Sequence, residues 1–250
     1  MSRGHFDYLV DNSAYGQYNL DTNELAARGL ARSRYDRKGN VIFYDSFIEG
    51  ADHWLLLPAG NGYIRPTINY PYETGAVMEM QANTVPASDI IMYKRLPFIE
   101  AGIYGFEFLF SLDGTADAGN DIIEVDVLYD NNEVNLNARL RIYADDGYIT
   151  INHGAAYPGT QKTILTGIDQ IRYTNYLRHY HYFKLTLNMI TGRYGRLIFN
   201  NLGVDLSQYL MYEETAYTQN IIQLALYNKY QVSAAVLRIA NVVITTNEPL

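Results

Sequence analysis

Apolar and polar residues alternate along many short segments of the chain from Val41 onward. In the three clearest segments the apolar positions are Tyr104, Phe106, Phe108, Phe110 and Leu112, then Val134, Leu136, Ala138, Leu140 and Ile142, and then Phe183, Leu185, Leu187 and Met189. Successive side chains of a strand point to opposite faces, so a period of two predicts strands that each bury one face. Turn signals such as Asp145-Asp146-Gly147 separate these segments at hairpin spacing. We therefore predict an all-β fold in which two antiparallel sheets pack face to face.

The first 40 residues differ from the rest of the chain. Asp21 or Thr22 could cap a short helix through NELAARGLARSRY. Five basic residues between positions 28 and 38 stand against one acidic residue, a local net charge of +4, and they are Arg28, Arg32, Arg34, Arg37 and Lys38. They form either a solvated helix face or an arm that docks on an acidic partner or a second copy. We divide the chain into a partly helical, partner-docking N-terminal arm, 1–40, and one sandwich domain, 41–250.

The composition excludes several classes of protein. Among 250 residues there is no cysteine, so no disulfide framework or thiol chemistry is available. The net charge of −8 disfavours nucleic-acid binding, which needs a basic face. The sequence contains no run of about 18 apolar residues, so no membrane span is predicted. The start of the chain is polar and aromatic, so no secretion signal is predicted. We expect synthesis in a reducing cytoplasm.

Three segments of the sandwich resemble strands of a known family. FYDSFIEGADHW, YHYFKLTLNMITGRYGRLIFNNLGVDLS and VLRIANVVITTNEP look like the first, penultimate and last strands of concanavalin A-like, laminin G-like jelly-roll domains. The similarity spans roughly residues 41–250 as a pattern and contains no diagnostic motif. It implies an antiparallel two-sheet jelly roll, and it bears on the fold more than on the function.

The stretch DIIEVDVLYDNNEV raises the question of catalysis. Glu124-Val125-Asp126 is similar to the start of the Glu-x-Asp-x-Glu signature of family 16 glycosidases, which share the jelly-roll fold. The resemblance implies a nucleophile at Glu124 and a proton donor at the third position, where this chain has Leu128 or, at the longer spacing, Tyr129. A retaining glycosidase needs two carboxyl groups. We therefore predict that the chain is not an enzyme.

A structural role accounts for the same carboxylates. If residues 130–133 form a hairpin loop, Tyr129 pairs with Val134. Glu124 then lies opposite Arg139, and Asp126 lies opposite Asn137. A cross-strand charge pair contributes roughly 0.2–1 kcal/mol and helps to fix the register. We favour this interpretation over contact with a sugar.

Two groups of residues are candidate metal ligands. The loop SLDGTADAGND offers oxygen ligands for Ca²⁺ from Asp113, Asp117, Asn120 and Asp121, although these residue types are also ordinary turn formers. His179 and His181 fall on one face of a strand, but no third ligand lies near them in sequence, and surface histidines or histidines with satisfied structural contacts are the preferred interpretation. Apart from this calcium candidate, no cofactor is expected.

Tyrosine is the most unusual feature of the composition, at 24 of 250 residues. Two clusters are candidates for glycan stacking or for a protein interface, and they comprise Tyr70, Tyr72, Tyr173, Tyr176, Tyr180 and Tyr182. A tyrosine presents a rigid apolar ring with a polar tip, which suits both uses, and some tyrosines simply fill the fold.

These observations lead to a hypothesis about function. A jelly roll without an export signal, rich in tyrosine and preceded by a basic arm, suits a bacteriophage-like particle that assembles in the host cytoplasm. We predict a non-enzymatic structural or decoration protein of a capsid or tail that forms homo-oligomers and contacts surface glycans. The alternatives are a free carbohydrate-binding module or lectin and, less favoured, a divergent glycoside hydrolase.

Overall fold

The computed structural model describes residues 39–67, 76–81, 89–97, 100–113, 122–154, 159–168, 180–213, 219–229 and 235–249. The strands are β1 (Asn40–Asp45), β2 (Leu55–Leu57), β3 (Tyr63–Thr67), β4 (Val77–Gln81), β5 (Asp89–Pro97), β6 (Ile103–Asp113), β7 (Ile122–Asp130), β8 (Asn135–Tyr143), β9 (Tyr148–His153), β10 (Thr160–Thr166), β11 (His181–Asn188), β12 (Arg193–Phe199), β13 (Leu202–Asp205), β14 (Tyr212–Glu213), β15 (Ile221–Lys229) and β16 (Val236–Thr246). Within these ranges there is no helix, and hence none long and apolar enough to cross a bilayer. The predicted basic arm lies outside the described residues.

The strands form two antiparallel sheets of eight strands each. The first sheet has the order β13-β12-β11-β6-β16-β4-β3, and β1 pairs with β16 beside β4. The second sheet has the order β10-β9-β8-β7-β15-β5-β2, and β14 pairs with β8. The prediction of an all-β, two-sheet sandwich is confirmed.

The core lies between the two sheets. The apolar faces predicted for β6, β8 and β11 are buried there, with the exception of Val134, which lies in the loop before β8 and is 39% exposed. Tyr194 of β12 ties the sheets together. Its hydroxyl donates a hydrogen bond to the carbonyl of Asn152 at 2.7 Å and accepts one from the amide of Arg139 at 3.0 Å. The core therefore contains a polar link from the first sheet to the backbone of the second.

The register of the β7–β8 hairpin differs from the prediction by two residues. The first pair is Asp130 with Asn135 rather than Tyr129 with Val134. The side-chain oxygen of Asn131 accepts hydrogen bonds from the amides of residues 133 and 134, at 3.0 and 2.8 Å, and so places the loop at 131–134. A shift of two residues keeps each side chain on its expected face but changes its partner.

A bulge in β16 lets this strand pair with two different neighbours on one side. The register against β6 shifts between Ala240 and Val243, where Asn241 has φ of 50°. Residues before the bulge pair with β4, and residues after it pair with β1. Asparagine tolerates this left-handed conformation better than β-branched residues do, which accounts for Asn in front of Val242 and Val243.

Candidate functional site

The outer surface of the second sheet carries the most concentrated polar chemistry. We call the side chains of β2, β5, β7, β8, β9, β10 and β15 that point away from the core the polar face. The cross-strand register arranges them in rows, of which one runs Leu57, Ile91, Tyr227, Glu124, Arg141, Thr150 and Thr163, and the next runs Leu55, Tyr93, Ala225, Asp126, Arg139, Asn152 and Gln161. A row crosses seven strands, roughly 29 Å at the usual strand spacing. Each row changes from apolar at β2 to charged at β7 and β8 and to polar at β10.

Glu124 is the centre of an ion-pair network in the middle of this face. Its carboxylate lies 2.6 Å from Nε of Arg141, 3.1 Å from Nζ of Lys229 and 3.5 Å from Nε of Arg139. Arg139 also pairs with Asp126, at 2.7 Å. In the corrected register Glu124 therefore lies opposite Arg141, and Asp126 lies opposite Arg139. The carboxylates that raised the question of catalysis lie in cross-strand ion pairs, as the preferred interpretation predicted for Glu124, although with different neighbours.

The network keeps its two arginines in their charged forms. Burial by itself lowers the pKa of Arg139, but the charges of Asp126 and Glu124 outweigh it and hold the pKa above its usual value. The pKa of Arg141 is raised in the same way, because the contact with Glu124 exceeds the effect of burial. Burial, followed by the negative charges of Asp126 and Glu124, raises the pKa of Tyr227. At neutral pH both arginines are therefore charged, and Tyr227 keeps its proton.

Leu128, which occupies the third position of the glycosidase signature, also lies on this face. It lies between Gln223 of β15 and Asn137 of β8. Leucine cannot donate a proton, and Glu124 is held by three cations. Whether the chain is an enzyme stays a prediction.

Uncharged hydrogen-bonding groups and tyrosines surround the network. Tyr143 and Tyr148 stack with ring centroids 4.3 Å apart, and the amide of Gln161 donates to the hydroxyl of Tyr143 at 2.6 Å. The side-chain oxygen of Asn137 is buried and accepts no hydrogen bond from the described part of the chain. A buried acceptor without a partner is rare in native proteins.

Exposure rises from the middle of the polar face to its edges. Glu124 and Asp126 are 1% and 6% exposed, whereas Leu55 and Leu57 on the edge strand are 49% and 43% exposed. Gln161 on the opposite edge strand is also exposed. The face therefore has a recessed charged floor and accessible margins.

Of the six tyrosines predicted from the sequence, the structure describes Tyr180 and Tyr182, and neither lies on this face. Tyr180 and Tyr182 are half-buried on the outer surface of the first sheet, where they and Tyr44 pack on the small apolar cluster of Leu109, Ala240, Val77 and Val243. Tyr70, Tyr72, Tyr173 and Tyr176 lie outside the described residues, as do Arg28, Arg32, Arg34, Arg37 and Lys38. Whether these side chains contact glycans or proteins stays a prediction.

The calcium candidate is described at one position. The carboxylate of Asp113 lies 3.3 Å from Nη1 of Arg238, whose Nε is 3.2 Å from Glu79. Asp117, Asn120 and Asp121 lie outside the described ranges. Among the residues that the structure does describe, no group of three His, Asp or Glu side chains could hold a metal ion.

His181 has structural contacts, whereas His179 is not among the described residues. The ring of His181 is 1% exposed and stacks on Phe199, with centroids 5.7 Å apart and an interplanar angle of 19°. Its Nδ1 lies 3.1 Å from Nδ2 of Asn200. These contacts fit the preferred interpretation of a structural histidine.

A second group of charged side chains lies on the first sheet, on the side that faces away from the core, and is nevertheless fully buried. We call Glu107, Lys184 and Glu248 the acid–ammonium cluster. Nζ of Lys184 lies 3.1 Å from Oε1 of Glu107 and donates hydrogen bonds to both carboxylate oxygens of Glu248, each at 3.1 Å. Burial raises the pKa of Glu107 to about 7, against the charge of Lys184 and with the charge of Glu248. Two carboxylates share one ammonium in this cluster.

Sequence reasoning missed Tyr143, Tyr148, Tyr227 and Asn137 as members of the polar face. A signal was available for Asn137, because it alternates with the buried residues of β8 and must therefore point away from the core. The tyrosines were overlooked because they lie singly in different strands and meet only across the sheet.

The fold can be compared with known proteins. No protein-family model and no curated protein sequence matches the chain. Among solved structures, it is similar to a carbohydrate esterase of the Shiga toxin-encoding bacteriophage phi24B, with a TM-score of 0.59 and 9% identity over 84% of this chain and 100% of that one. An endo-β-1,4-glucuronan lyase of the fungus Trichoderma reesei gives a TM-score of 0.55 and 12% identity over 83% of this chain and 96% of the lyase.

The carbohydrate recognition domain of Emp47p gives a TM-score of 0.50 and 9% identity over 79% of this chain and 90% of that domain. The chain has a concanavalin A-like jelly-roll fold. The resemblance to this fold that was inferred from the sequence is thereby confirmed. At these identities the similarity establishes the fold of the jelly roll and leaves its activity to be argued from the site.

Proposed function

We propose that this jelly roll is a non-catalytic glycan-binding protein and that its polar face is the binding surface. The observation that carries the proposal is the face itself, where half-exposed tyrosines and amide side chains surround a rigid ion-pair floor. The rings of Tyr143 and Tyr148 offer apolar area for a sugar ring, and the exposed amide of Gln161 offers a hydrogen-bond site. The carbohydrate esterase, the glucuronan lyase and the carbohydrate recognition domain with the same fold act on or recognise sugars, which supports the proposal.

Replacing Tyr143 by alanine tests the proposal. We expect glycan affinity to fall roughly tenfold, because truncating an aromatic contact at a binding site costs about 1–2 kcal/mol. Tyr63→Ala is the matched control, since Tyr63 is equally half-buried but lies on the first sheet, where its hydroxyl donates to Glu79 at 2.6 Å. A glycan array followed by calorimetry on the best ligand measures both variants. Equal losses in the two variants, or none in Tyr143→Ala, would contradict the assignment of the face.

We further propose that the protein acts as a structural or decoration subunit of a bacteriophage-like particle. The half-buried tyrosines of the first sheet, Tyr44, Tyr180 and Tyr182, support this proposal because such residues suit contacts between subunits and lie opposite the polar face. In this arrangement one sheet binds neighbouring subunits and the other is free for glycans.

The intact chain is then expected to elute as an oligomer in size-exclusion chromatography. Removal of residues 1–38 is expected to shift it towards the monomer, because the predicted basic arm supplies a docking contact. A stable monomer with identical elution in both forms would count against a subunit role while leaving glycan binding unaffected.

A further inference from the structure

The charges of the polar face cancel. Its cations are Arg95, Arg139, Arg141 and Lys229, and its anions are Asp89, Glu124, Asp126 and Asp130. Four positive and four negative charges give a net charge of zero on the described part of the face. From this cancellation we infer that the glycan bound there is uncharged, an inference that rests on the proposed function.

The cations at the centre are already engaged. Arg139 donates from Nε and Nη2 to Asp126, at 3.1 and 2.7 Å, and Arg141 donates from Nε to Glu124 at 2.6 Å. Lys229 lies between Glu124 at 3.1 Å and Asp89 at 3.5 Å. Only 16–23% of each of these three side chains is exposed. A carboxylate or sulfate on a ligand would have to compete with a bound protein carboxylate for each cation, and it would lose its own hydration to do so. The middle of the face therefore offers no uncompensated positive charge to an acidic sugar.

Arg95 differs from the three central cations because it is more exposed to solvent. It is exposed, but its Nε donates to the side-chain oxygen of Gln223 at 2.8 Å, and its guanidinium lies 5.1 Å from the centroid of the Tyr93 ring. It occupies an outer strand next to the apolar edge formed by Leu55 and Leu57. The field of the whole chain, at −8, also repels an acidic polymer.

The remaining groups of the face suit neutral hydroxyls. The amides of Gln161 and Gln223 can donate to or accept from a sugar hydroxyl without a charge on either side. Tyr227 also keeps its proton at neutral pH and so remains neutral. Hydrogen bonds between neutral groups depend little on salt, which gives the inference a readout separate from binding itself.

Matched glycan pairs test the inference. We expect the full-length protein to bind neutral glycans, such as β-1,4-linked glucose oligomers or other neutral members of an array, in preference to the same chains with uronic acids. Affinity for the best ligand should change by less than about twofold between low and high salt. In the variant Arg95→Gln the preference for neutral over uronate chains should remain, whereas an acidic ligand held by Arg95 would be lost.

The outcomes separate the inference from the proposed function. Binding restricted to uronate or sulfated glycans, with a loss of more than about tenfold at high salt, would overturn the inference and leave glycan binding intact. Failure of the wild-type protein to bind any glycan on the array would instead contradict the proposed function, and the inference with it.

Discussion

Replacing Lys184 by methionine is expected to lower the free energy of unfolding by about 3–5 kcal/mol near pH 8. Lys184 is fully buried between Glu107 and Glu248, and methionine has nearly the same shape without the charge. Two carboxylates, each no more than 2% exposed, would then remain without a cation. The cost is that of buried, uncompensated charge rather than of lost packing.

The loss should depend on pH, and its direction follows from Glu107 in the wild-type protein. An unfolded glutamate titrates at about 4.5, whereas the pKa of folded Glu107 is about 7 because burial outweighs the charge of Lys184. Between these values the native state binds more protons than the unfolded state. Protonation of Glu107 therefore contributes fully to the free energy of unfolding below pH 4.5, and this contribution is lost as the pH rises to 7. The free energy of unfolding falls by roughly 3 kcal/mol at most over this range.

The charged groups around Glu107 set this behaviour. Lys184 and Tyr182 face it from β11, and Glu248 faces it from the segment after β16. Arg196 of β12 lies one row away, on the far side of Lys184. In Lys184→Met both carboxyls are expected to take up protons in acid, so the variant should regain much of its lost stability by pH 5.

Urea denaturation at several pH values checks both expectations. Glu107→Gln should flatten the dependence of wild-type stability on pH between 4.5 and 7, because the titrating carboxyl is gone. Lys162→Met, at an exposed position of the edge strand β10, is the matched control and should change stability little. An equal loss in Lys184→Met at pH 5 and pH 8 would show that the two carboxylates do not depend on the ammonium.

The fold could be predicted from the sequence because the alternation of apolar and polar residues within a single strand shows which of its faces is buried. The alternation in β6 identified its core side, from Tyr104 to Leu112, without any knowledge of the neighbouring strands. The same pattern did not predict that Glu107, on the other face of β6, is also fully buried. Its partners Lys184 and Glu248 lie far away in the chain, and pairing of β6 with β11 and β16 brings them together.

The register of β7 and β8 shows a second limit of the sequence. Both possible four-residue loops contain favourable turn residues, and the choice rests on side-chain hydrogen bonds. Asp130 accepts from the amide of Asn132 at 2.9 Å, and Asn131 accepts from the amides that follow it. These local hydrogen bonds place every cross-strand pair two positions from the predicted register. Glu124 and Asp126 therefore have different partners from those predicted but stay on the predicted face.

The candidate site was harder to predict than the fold for the same reason. A row of the polar face takes one residue from each of seven strands, and these strands are not in chain order across the sheet. Clusters of tyrosine in the sequence therefore drew attention to Tyr180 and Tyr182, while Tyr143, Tyr148 and Tyr227 come together with the ion pairs only in the folded sheet.

Replacing Glu124 by glutamine is the second change with a large expected effect. The substitution keeps the shape but removes the anion that Arg139, Arg141 and Lys229 share. Because those cations are partly exposed, solvent should reduce the cost to about 2–3 kcal/mol, below that of a fully buried pair. Glu133→Gln, in the exposed hairpin loop, is the control and should be nearly neutral. Urea denaturation measures both, and a loss in Glu124→Gln no larger than in Glu133→Gln would contradict the central role of Glu124.

The same variant changes the charge that a ligand meets. Without Glu124 the polar face carries a net charge of +1, and the guanidinium of Arg141 loses its partner at 2.6 Å. Glu124→Gln is therefore expected to acquire weak affinity for uronate oligosaccharides that the wild-type protein does not bind, and high salt should abolish this affinity. A wild-type protein that already binds uronates through these cations would gain little from the substitution. The glycan specificity of Glu124→Gln thus reports whether the carboxylate excludes acidic sugars by occupying the cations of the face.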